Sequence, residues 1–201
     1  GEQEENPSML AVLPEFNRRM VQIGALLISY RARYLRALGE IAEQYHKEFS
    51  GDREQLTLQY HTVSTVTDPF APLEQLRAEL EAHMSSHARA ELDSRQCLSG
   101  PHKDDFEAAL NGLPMAQFAS QGQTRTATIS LKLAERELMK RDCGETPVLL
   151  LDDVLSELDA GRQDFVLNRL RDGQVFITCC ETDRLTELGQ VLFVEDGRVR
   201  V

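Results

Sequence analysis

The sequence predicts an α/β protein in which a helical arm precedes a layered α/β domain. A helical pattern runs from residue 16 to residue 49, broken in composition only by two glycines. Farther along, the short apolar runs at 148–151 and 175–178 alternate with helical segments, a rhythm typical of buried parallel strands. We therefore place a boundary near residue 96, with a helical arm over 1–95 and an α/β domain over 96–201.

Composition restricts the class of protein. The 201 residues are 41% hydrophobic, and 33 acidic against 22 basic residues give a net charge of −11. A broad basic surface for duplex DNA is thereby disfavoured, because such binding depends on Lys and Arg at phosphates, and any DNA contact has to be local or to use parts outside these 201 residues. No apolar run approaches the roughly 20 residues of a membrane helix, and the N-terminus is polar and acidic, so we expect a cytoplasmic protein. The cysteines show neither zinc nor disulfide spacing, and we interpret them as reduced thiols.

The arm carries a heptad-like seam. Apolar residues recur at steps of three and four and predict a helix that packs as a short coiled coil; they are Met20, Ile23, Leu27, Tyr30, Tyr34, Ala37 and Ile41. The partner helix is either a second helix that starts near Pro72 or one outside the chain. On that second helix His83 and His87 are metal ligands or part of a solvated face, and the solvated face is favoured. Five arginines of the first helix form a phosphate-facing strip or, with higher prior, a solvated face: Arg18, Arg19, Arg31, Arg33 and Arg36.

Shorter elements follow from local signals. Alternation over 56–60 predicts a half-buried strand, and Asn111-Gly112 between apolar runs at 106–110 and 115–118 predicts a hairpin. Helices are predicted over 121–140 and 160–171. The end of the chain predicts a second tight hairpin about Asp196-Gly197.

The strongest chemical signal is an apolar strand that ends in Asp152-Asp153. Ligands of open α/β sheets bind at the carboxyl ends of strands. There one carboxylate can hold Mg²⁺ and the next can orient or deprotonate a water, which is the form of a Walker B strand. A simple turn followed by a helix cap is the alternative interpretation.

Two further segments belong with that strand. Ser156 and Asp159 precede a helix that Asp159 would cap, and the same residues match the D-loop of ABC ATPases. Upstream, Ser120, Gly122, Gln123 and Arg125 open a long helix whose N-terminus could receive a phosphate. From that segment alone, an ordinary capped helix is favoured.

Order and spacing together indicate the C-terminal lobe of an ABC-type ATPase head, and the chain resembles the RecF family. The resemblance extends from about residue 14 to the end and rests on four motifs. They are Gly-Pro-His-Lys-Asp-Asp at 100–105, Phe-Ala-Ser-Gln-Gly-Gln-Thr-Arg at 118–125, Leu-Lys-Leu-Ala-Glu at 131–135 and Leu-Leu-Leu-Asp-Asp-Val-Leu-Ser-Glu-Leu-Asp at 149–159.

The resemblance implies a weak DNA-dependent ATPase that forms a homodimer around ATP and Mg²⁺. Ser120, Gly122, Gln123 and Arg125 would contact the nucleotide of the second protomer, Asp152 would support Mg²⁺, and Asp153 would be the catalytic carboxylate. Ser156 and Asp159 would lie in the D-loop. The family further implies binding to gapped DNA or single-strand/double-strand junctions, recombinase loading with RecO and RecR, and a part in replication and the SOS response.

Two departures qualify this expectation. No Gly-x-x-x-x-Gly-Lys-Ser/Thr occurs in the 201 residues, so the loop that cradles phosphates is missing. We expect a piece of a longer protein, with Gly1 as a tag remnant, that holds parts of two sites and hydrolyses no ATP alone. In addition, Cys179 stands where many ABC heads have a switch histidine.

Two pairs of alternatives remain for the segment 100–105 and for the chain as a whole, and a third interpretation is disfavoured. In the segment 100–105, Lys103, Asp104 and Asp105 face nucleotide or DNA, or form a turn with a salt bridge. The chain as a whole is the ATPase fragment or, alternatively, a docking module of a repair complex without catalysis of its own. A long coiled-coil structural protein is disfavoured because a helix over 16–49, at about 1.5 Å per residue, is too short.

Overall fold

The computed structural model describes residues 7–154, 158–170, 172–180 and 189–200, with side chains from residue 11 onward. The chain divides into two compact units, Gly1–Ala134 and Glu135–Val201. The elements in chain order are α1 (Pro7–Ser50), β1 (Leu56–His61), α2 (Leu73–Ser94), a 3₁₀ turn (Pro101–Lys103), β2 (Asp105–Leu110), β3 (Leu113–Pro114), α3 (Met115–Phe118), α4 (Gln121–Cys143), β4 (Leu149–Asp152), α5 (Ala160–Arg169), β5 (Val175–Thr178), β6 (Phe193–Glu195) and β7 (Arg198–Arg200).

The core of the first unit lies between α1, α2 and the connection that precedes α2. Its buried residues are Ala25, Ile28, Val63, Val66, Ala71, Leu76 and Leu80. Small residues of α1 permit this packing: a Cβ atom at Gly24 would lie 2.8 Å from Leu80 Cδ2 and 3.2 Å from Pro101 Cδ. The two helices therefore approach closely where α1 has no side chain.

The predicted heptad seam is wrong for its central residues, whereas Ile41 near its end is buried. Ile23 and Tyr30 are 58% and 62% exposed, and Leu27 and Tyr34 are also exposed. The face of α1 that packs against α2 instead includes Ala25 and Ile28, and Gly24 permits the close approach of the two helices. A pattern search that weights large apolar residues finds the opposite face.

The antiparallel sheet of the first unit has the order β1-β2-β3. The predicted hairpin is confirmed, and Asn111 and Gly112 both have positive φ, 50° and 79°, as a two-residue primed turn requires. The strand predicted over 115–118 is wrong: this segment is the short helix α3. Pro114, which cannot donate to a strand ladder, ends β3 and precedes that helix.

The domain boundary near residue 96 remains a prediction. The two compact units of the structure divide elsewhere, after Ala134. β1 precedes that boundary and β2 follows it, and the two strands pair over their whole length from Leu56↔Leu110 to His61↔Asp105. This pairing joins the arm to the following segment in one compact unit.

In the second unit β4 and β5 pair in parallel, with Leu149 opposite Val175 and Asp152 opposite Thr178. The prediction that both strands are buried is confirmed for one face only. Leu149 and Leu151 are buried, whereas Leu150 is 71% exposed and Phe176 is 50% exposed. Among the residues that the structure describes, one face of the pair is therefore exposed. The terminal hairpin of β6 and β7 is confirmed.

Among the described helices, none combines the length and the apolar character that a membrane crossing requires.

Candidate nucleotide site residues

The carboxyl ends of β4 and β5 bring three polar side chains together. Asp152 and Asp153 are both exposed, and the Thr178 hydroxyl donates a hydrogen bond of 2.5 Å to Asp152 Oδ1. The parallel register sets this contact, because Asp152 and Thr178 are directly paired residues of neighbouring strands. Thr178 was not among the predicted site residues, and its signal in the sequence is its position as the last residue of the next parallel strand.

The backbone of Asp153 is strained. Its φ is 50°, a left-handed conformation uncommon for residues other than glycine. Its N–H donates to Thr178 Oγ1 at 3.0 Å and to Thr178 O at 3.2 Å. The strain is modest for aspartate, which is enriched in this region among the non-glycine residues, and Asp52 and Asp196 have φ of 59° and 48° at other turns of the chain.

The oxygen donors at this edge suit Mg²⁺, which prefers carboxylates combined with water and substrate phosphates. Within the described ranges, no group of three or more His, Cys, Asp or Glu could hold a metal ion. A magnesium ion here would take Asp152 as its protein ligand and fill its other positions from a nucleotide and water. Asp152 and Asp153 fit that arrangement.

Asp159 caps α5. Its Oδ1 accepts from Arg162 N at 3.0 Å, and its Oδ2 lies 3.4 Å from Arg162 Nε, so the capping interpretation holds. Ser156, the other D-loop candidate, lies outside the described residues. Cys179 directly follows β5 and is half-buried.

The N-terminus of α4 has a reciprocal capping box. Gln123 N donates to Ser120 Oγ at 3.2 Å, and Ser120 N donates to Gln123 Oε1 at 2.8 Å. This satisfies two amides of the first turn and leaves those of Gln121 and Gly122 as the donors that a helix start offers to an anion. Gly122 and Arg125 are both half-buried.

Glu54, in the connection between α1 and β1, was also not among the predicted site residues. Its Oε1 accepts from Gln123 Nε2 at 2.8 Å, and its Oε2 lies 3.0 Å from Nε2 of the fully buried His46. A contact across 69 residues leaves no local signal in the sequence.

Asp104, the first aspartate of the segment 100–105, has a structural role. The Asp104 side chain is 2% exposed and accepts from Arg31 at 2.9 Å, from the Tyr60 hydroxyl at 2.5 Å and from the Thr62 hydroxyl at 2.7 Å. Burial, and then the bond to Asp104, raise the pKa of Tyr60. Of the two interpretations, the turn with a salt bridge describes Asp104, while Lys103 and Asp105 are exposed.

The histidines of α2 do not form a solvated face. His83 is buried, its Nδ1 lies 3.0 Å from Ser99 Oγ, and its ring stacks on that of His87 at 4.0 Å. Burial, and then the charge of His87, lower the pKa of His83.

The arginine strip of α1 is largely engaged within the chain. Arg18 and Arg19 pair with Glu15, Arg31 pairs with Asp104, and the Arg36 guanidinium lies 4.2 Å from the centroid of the Phe70 ring. These partners favour a structural helix face over a continuous strip for phosphates.

Comparison with known proteins gives a consistent result, although no protein-family model matches the chain. A DNA replication and repair protein RecF of Symbiobacterium thermophilum is 42% identical over 171 residues, which is 85% of this chain and 46% of that protein. The RecF of Agathobacter rectalis is 36% identical over 199 residues, or 97% of this chain and 52% of the relative.

Solved structures agree. A structure of the recombination mediator protein RecF-ATP in the RecFOR pathway superimposes with a TM-score of 0.81 at 31% identity, covering 99% of this chain and 52% of that one. A second, RecF-ATPrS, gives a TM-score of 0.79 at 27% identity, with 98% and 52% covered. The chain thus spans about half the length of its relatives, and its mixed α/β fold is that of the C-terminal lobe of an ABC-type ATPase head with a helical arm.

Proposed function

Because the chain belongs to the RecF family and matches the C-terminal portion of its members, we propose that it contributes parts of two composite ATP sites. The whole protein is, in this proposal, a DNA-dependent ATPase of replication and recombinational repair. Asp152 supports Mg²⁺ at the protomer's own nucleotide, and Asp153 is the carboxylate that activates water. Ser120, Gly122, Gln123 and Arg125 close the nucleotide of the second protomer. Ser156 and Asp159 belong to the D-loop, and Cys179 occupies the switch position.

The observation that carries this proposal is the end of β4. Two exposed carboxylates follow one another where parallel strands end, one bonded to Thr178 of the next strand and one held with φ of 50°. Of the two, the bond between Asp152 and Thr178 is the feature that an ordinary turn before a capped helix does not require, whereas Asp52 and Asp196 have similar φ at other turns of the chain. The capping box at Ser120 adds a helix start whose next two amides are suited to a phosphate.

A companion segment supplies the phosphate loop in this proposal. The open face of β4 and β5, with Leu150 and Phe176 exposed, supports a further layer on that side, because sheets of this class have both faces covered. The assembled protein forms an ATP-dependent homodimer, binds gapped or junction DNA, and acts with RecO and RecR-type proteins in recombinase loading.

The decisive experiment combines this chain with a polypeptide that carries the N-terminal half of a RecF relative. We expect no ATP turnover from the chain alone, and Mg-ATP-dependent dimerisation of the combined halves in light scattering. Ser120→Arg should abolish that dimerisation by placing a bulky cation at the helix start, whereas Thr128→Arg, on an exposed position two turns later, should not.

Two results would contradict the proposal. One is turnover by the purified chain that Asp153→Asn abolishes, which would mean that the chain holds a complete site. The other is intact ATP-dependent dimerisation of the Ser120→Arg protein. That result would exclude the proposed contact between the start of α4 and the nucleotide of the second protomer.

A second candidate function is protein docking without catalysis. The observation in its favour is the apolar stripe on α1, where Phe16, Ile23 and Tyr30 are all more than half exposed. Binding of a repair protein by the chain alone, weakened by Ile23→Ser and indifferent to ATP, would favour this function.

A further inference from the structure

The side-chain amide of Gln123 is held at both ends. Its oxygen accepts from Ser120 N at 2.8 Å, and its nitrogen donates to Glu54 Oε1 at 2.8 Å. Because one end accepts and the other donates, the orientation of the amide is defined. The first turn of α4 is therefore attached to the connection between α1 and β1.

Glu54 is itself fixed by its other atoms. Its second carboxylate oxygen, Oε2, lies 3.0 Å from Nε2 of His46, within hydrogen-bonding distance. Its backbone N–H donates to Ser50 Oγ at 3.2 Å. The carboxylate that holds Gln123 thus has little freedom to move.

His46 extends the support along α4. Its Nδ1 lies 3.5 Å from Ser130 Oγ, and that hydroxyl donates to Thr126 O at 2.9 Å. Ser130 and Thr126 are buried, and His46 is fully buried. Gln123 and Ser130 are seven residues apart, about two helical turns, so the His46–Glu54 pair hydrogen-bonds α4 at Gln123 and packs against it at Ser130.

We propose that Glu54 and His46 are positioning residues for the contact that α4 makes with the nucleotide of the second protomer. They hold Gln123 and the first turn of α4 in the geometry in which the helix start meets a phosphate, so that this turn is ordered before the second protomer arrives. The inference rests on the proposed function, in which Gln123 belongs to that contact.

The first test needs only this chain. Amide hydrogen exchange at Ser120, Gln123 and Thr124, whose N–H groups are bonded in this turn, should be about tenfold faster in Glu54→Ala, because the first turn opens locally without its anchor. Glu54→Gln should stay near the parent rate, since its side-chain oxygen still accepts from Gln123. Glu91→Ala is the matched control: this carboxylate also anchors backbone, accepting from Leu98 N and Ser99 N. Unchanged exchange in Glu54→Ala would overturn the proposal.

The second test uses the combined halves. At saturating ATP, Glu54→Ala should raise the protein concentration for half-maximal dimerisation about tenfold, which is about 1.4 kcal/mol. His46→Gln should act in the same direction. ATP affinity of the undimerised protein should not change, because those phosphates are held by the other half. A parallel loss of ATP affinity would indicate general damage and would overturn positioning.

The two proposals fail in distinguishable ways. If Ser120→Arg abolishes dimerisation and Glu54→Ala leaves it intact, the positioning role is wrong while the contact of α4 stands. If neither variant affects dimerisation, both are wrong.

Discussion

At the scale of single residues, the most constrained group outside the candidate site is the Asp104 carboxylate. It is almost completely buried and accepts from Arg31, Tyr60 and Thr62, which belong to α1, to β1 and to the residue that follows β1. A buried charge with several charge-assisted bonds is stabilising only while those partners remain. Its neighbour Asp105 is exposed and provides an internal comparison.

Asp104→Asn should lower the free energy of unfolding by about 2 to 3 kcal/mol, because the charge that three donors share is lost. Asp105→Asn, with an exposed side chain, should change it by less than about 0.5 kcal/mol. Urea denaturation of the two variants measures both values. Equal effects would mean that Asp104 is not the structural member of the pair.

The buried His83 predicts a pH dependence. Its pKa lies below the ordinary 6.5, first because of burial and then because of the neighbouring charge of His87. The His83 side chain therefore binds a proton more tightly in the unfolded chain than in the folded chain. The contribution of neutral His83 to the free energy of unfolding is complete above about pH 6.5 and is lost as the pH falls below that value.

Urea midpoints measured from pH 8 to pH 5 should fall in the lower part of this range. His83→Gln should flatten the profile, while the exposed His61→Gln should leave it unchanged. A profile with the same slope in His83→Gln would assign the pH dependence to other groups.

At the scale of elements, α1 carries two glycines in different surroundings. A Cβ at Gly24 meets Leu80 and the ring of Pro101, at 2.8 and 3.2 Å, whereas at Gly39 the nearest atom is Leu58 Cβ at 3.6 Å, an ordinary contact. Both positions would gain helix propensity from alanine. Only the first would be overpacked.

The two substitutions should therefore have opposite signs. Gly24→Ala should destabilise by about 1 to 2 kcal/mol, since overpacking exceeds the propensity gain, and Gly39→Ala should stabilise by about 0.5 to 1 kcal/mol. Thermal unfolding followed by circular dichroism compares them. Stabilisation by both would indicate that α1 and α2 can separate at no cost.

Elements marked by local signals were predictable. Asn111-Gly112 specifies its own turn, and β5 was predicted at the residues where it is found, because both depend on neighbours in sequence. The face of α1 was not predictable in the same way. Which face of α1 is buried depends on its contact with α2 and Pro101. Small residues contribute little to a hydrophobic pattern in the sequence, although close packing requires them.

The residues of the candidate site also differ in how far the sequence could predict them. Asp152, Asp153 and the helix start at Ser120 stand in recognisable local patterns, and their spacing indicated a nucleotide-binding lobe. Thr178 and Glu54 are joined to them by strand register and by a contact 69 residues away. Such partners become visible only when the chain is folded.

At the scale of the whole molecule, charge and exposed apolar surface act in opposite directions. The net charge of −11 keeps copies of the chain apart, while Leu150 and Phe176 on the open face of β4 and β5 favour association. Because salt screens charges and leaves apolar surface unaffected, we expect self-association of the isolated chain to increase with ionic strength.

Leu150→Ser combined with Phe176→Ser should suppress that association while leaving the unfolding midpoint nearly unchanged, because both side chains are at least half exposed. Leu149→Ser, at a buried position of the same strand, should instead lower stability by about 3 kcal/mol or more, since it combines a lost apolar contact with a buried hydroxyl. Sedimentation velocity at low and high salt, with urea denaturation beside it, separates the two effects. If the double variant associates as strongly as the parent chain, the open strand edges rather than this face drive association, because an unpaired edge can pair with another chain whatever its side chains are.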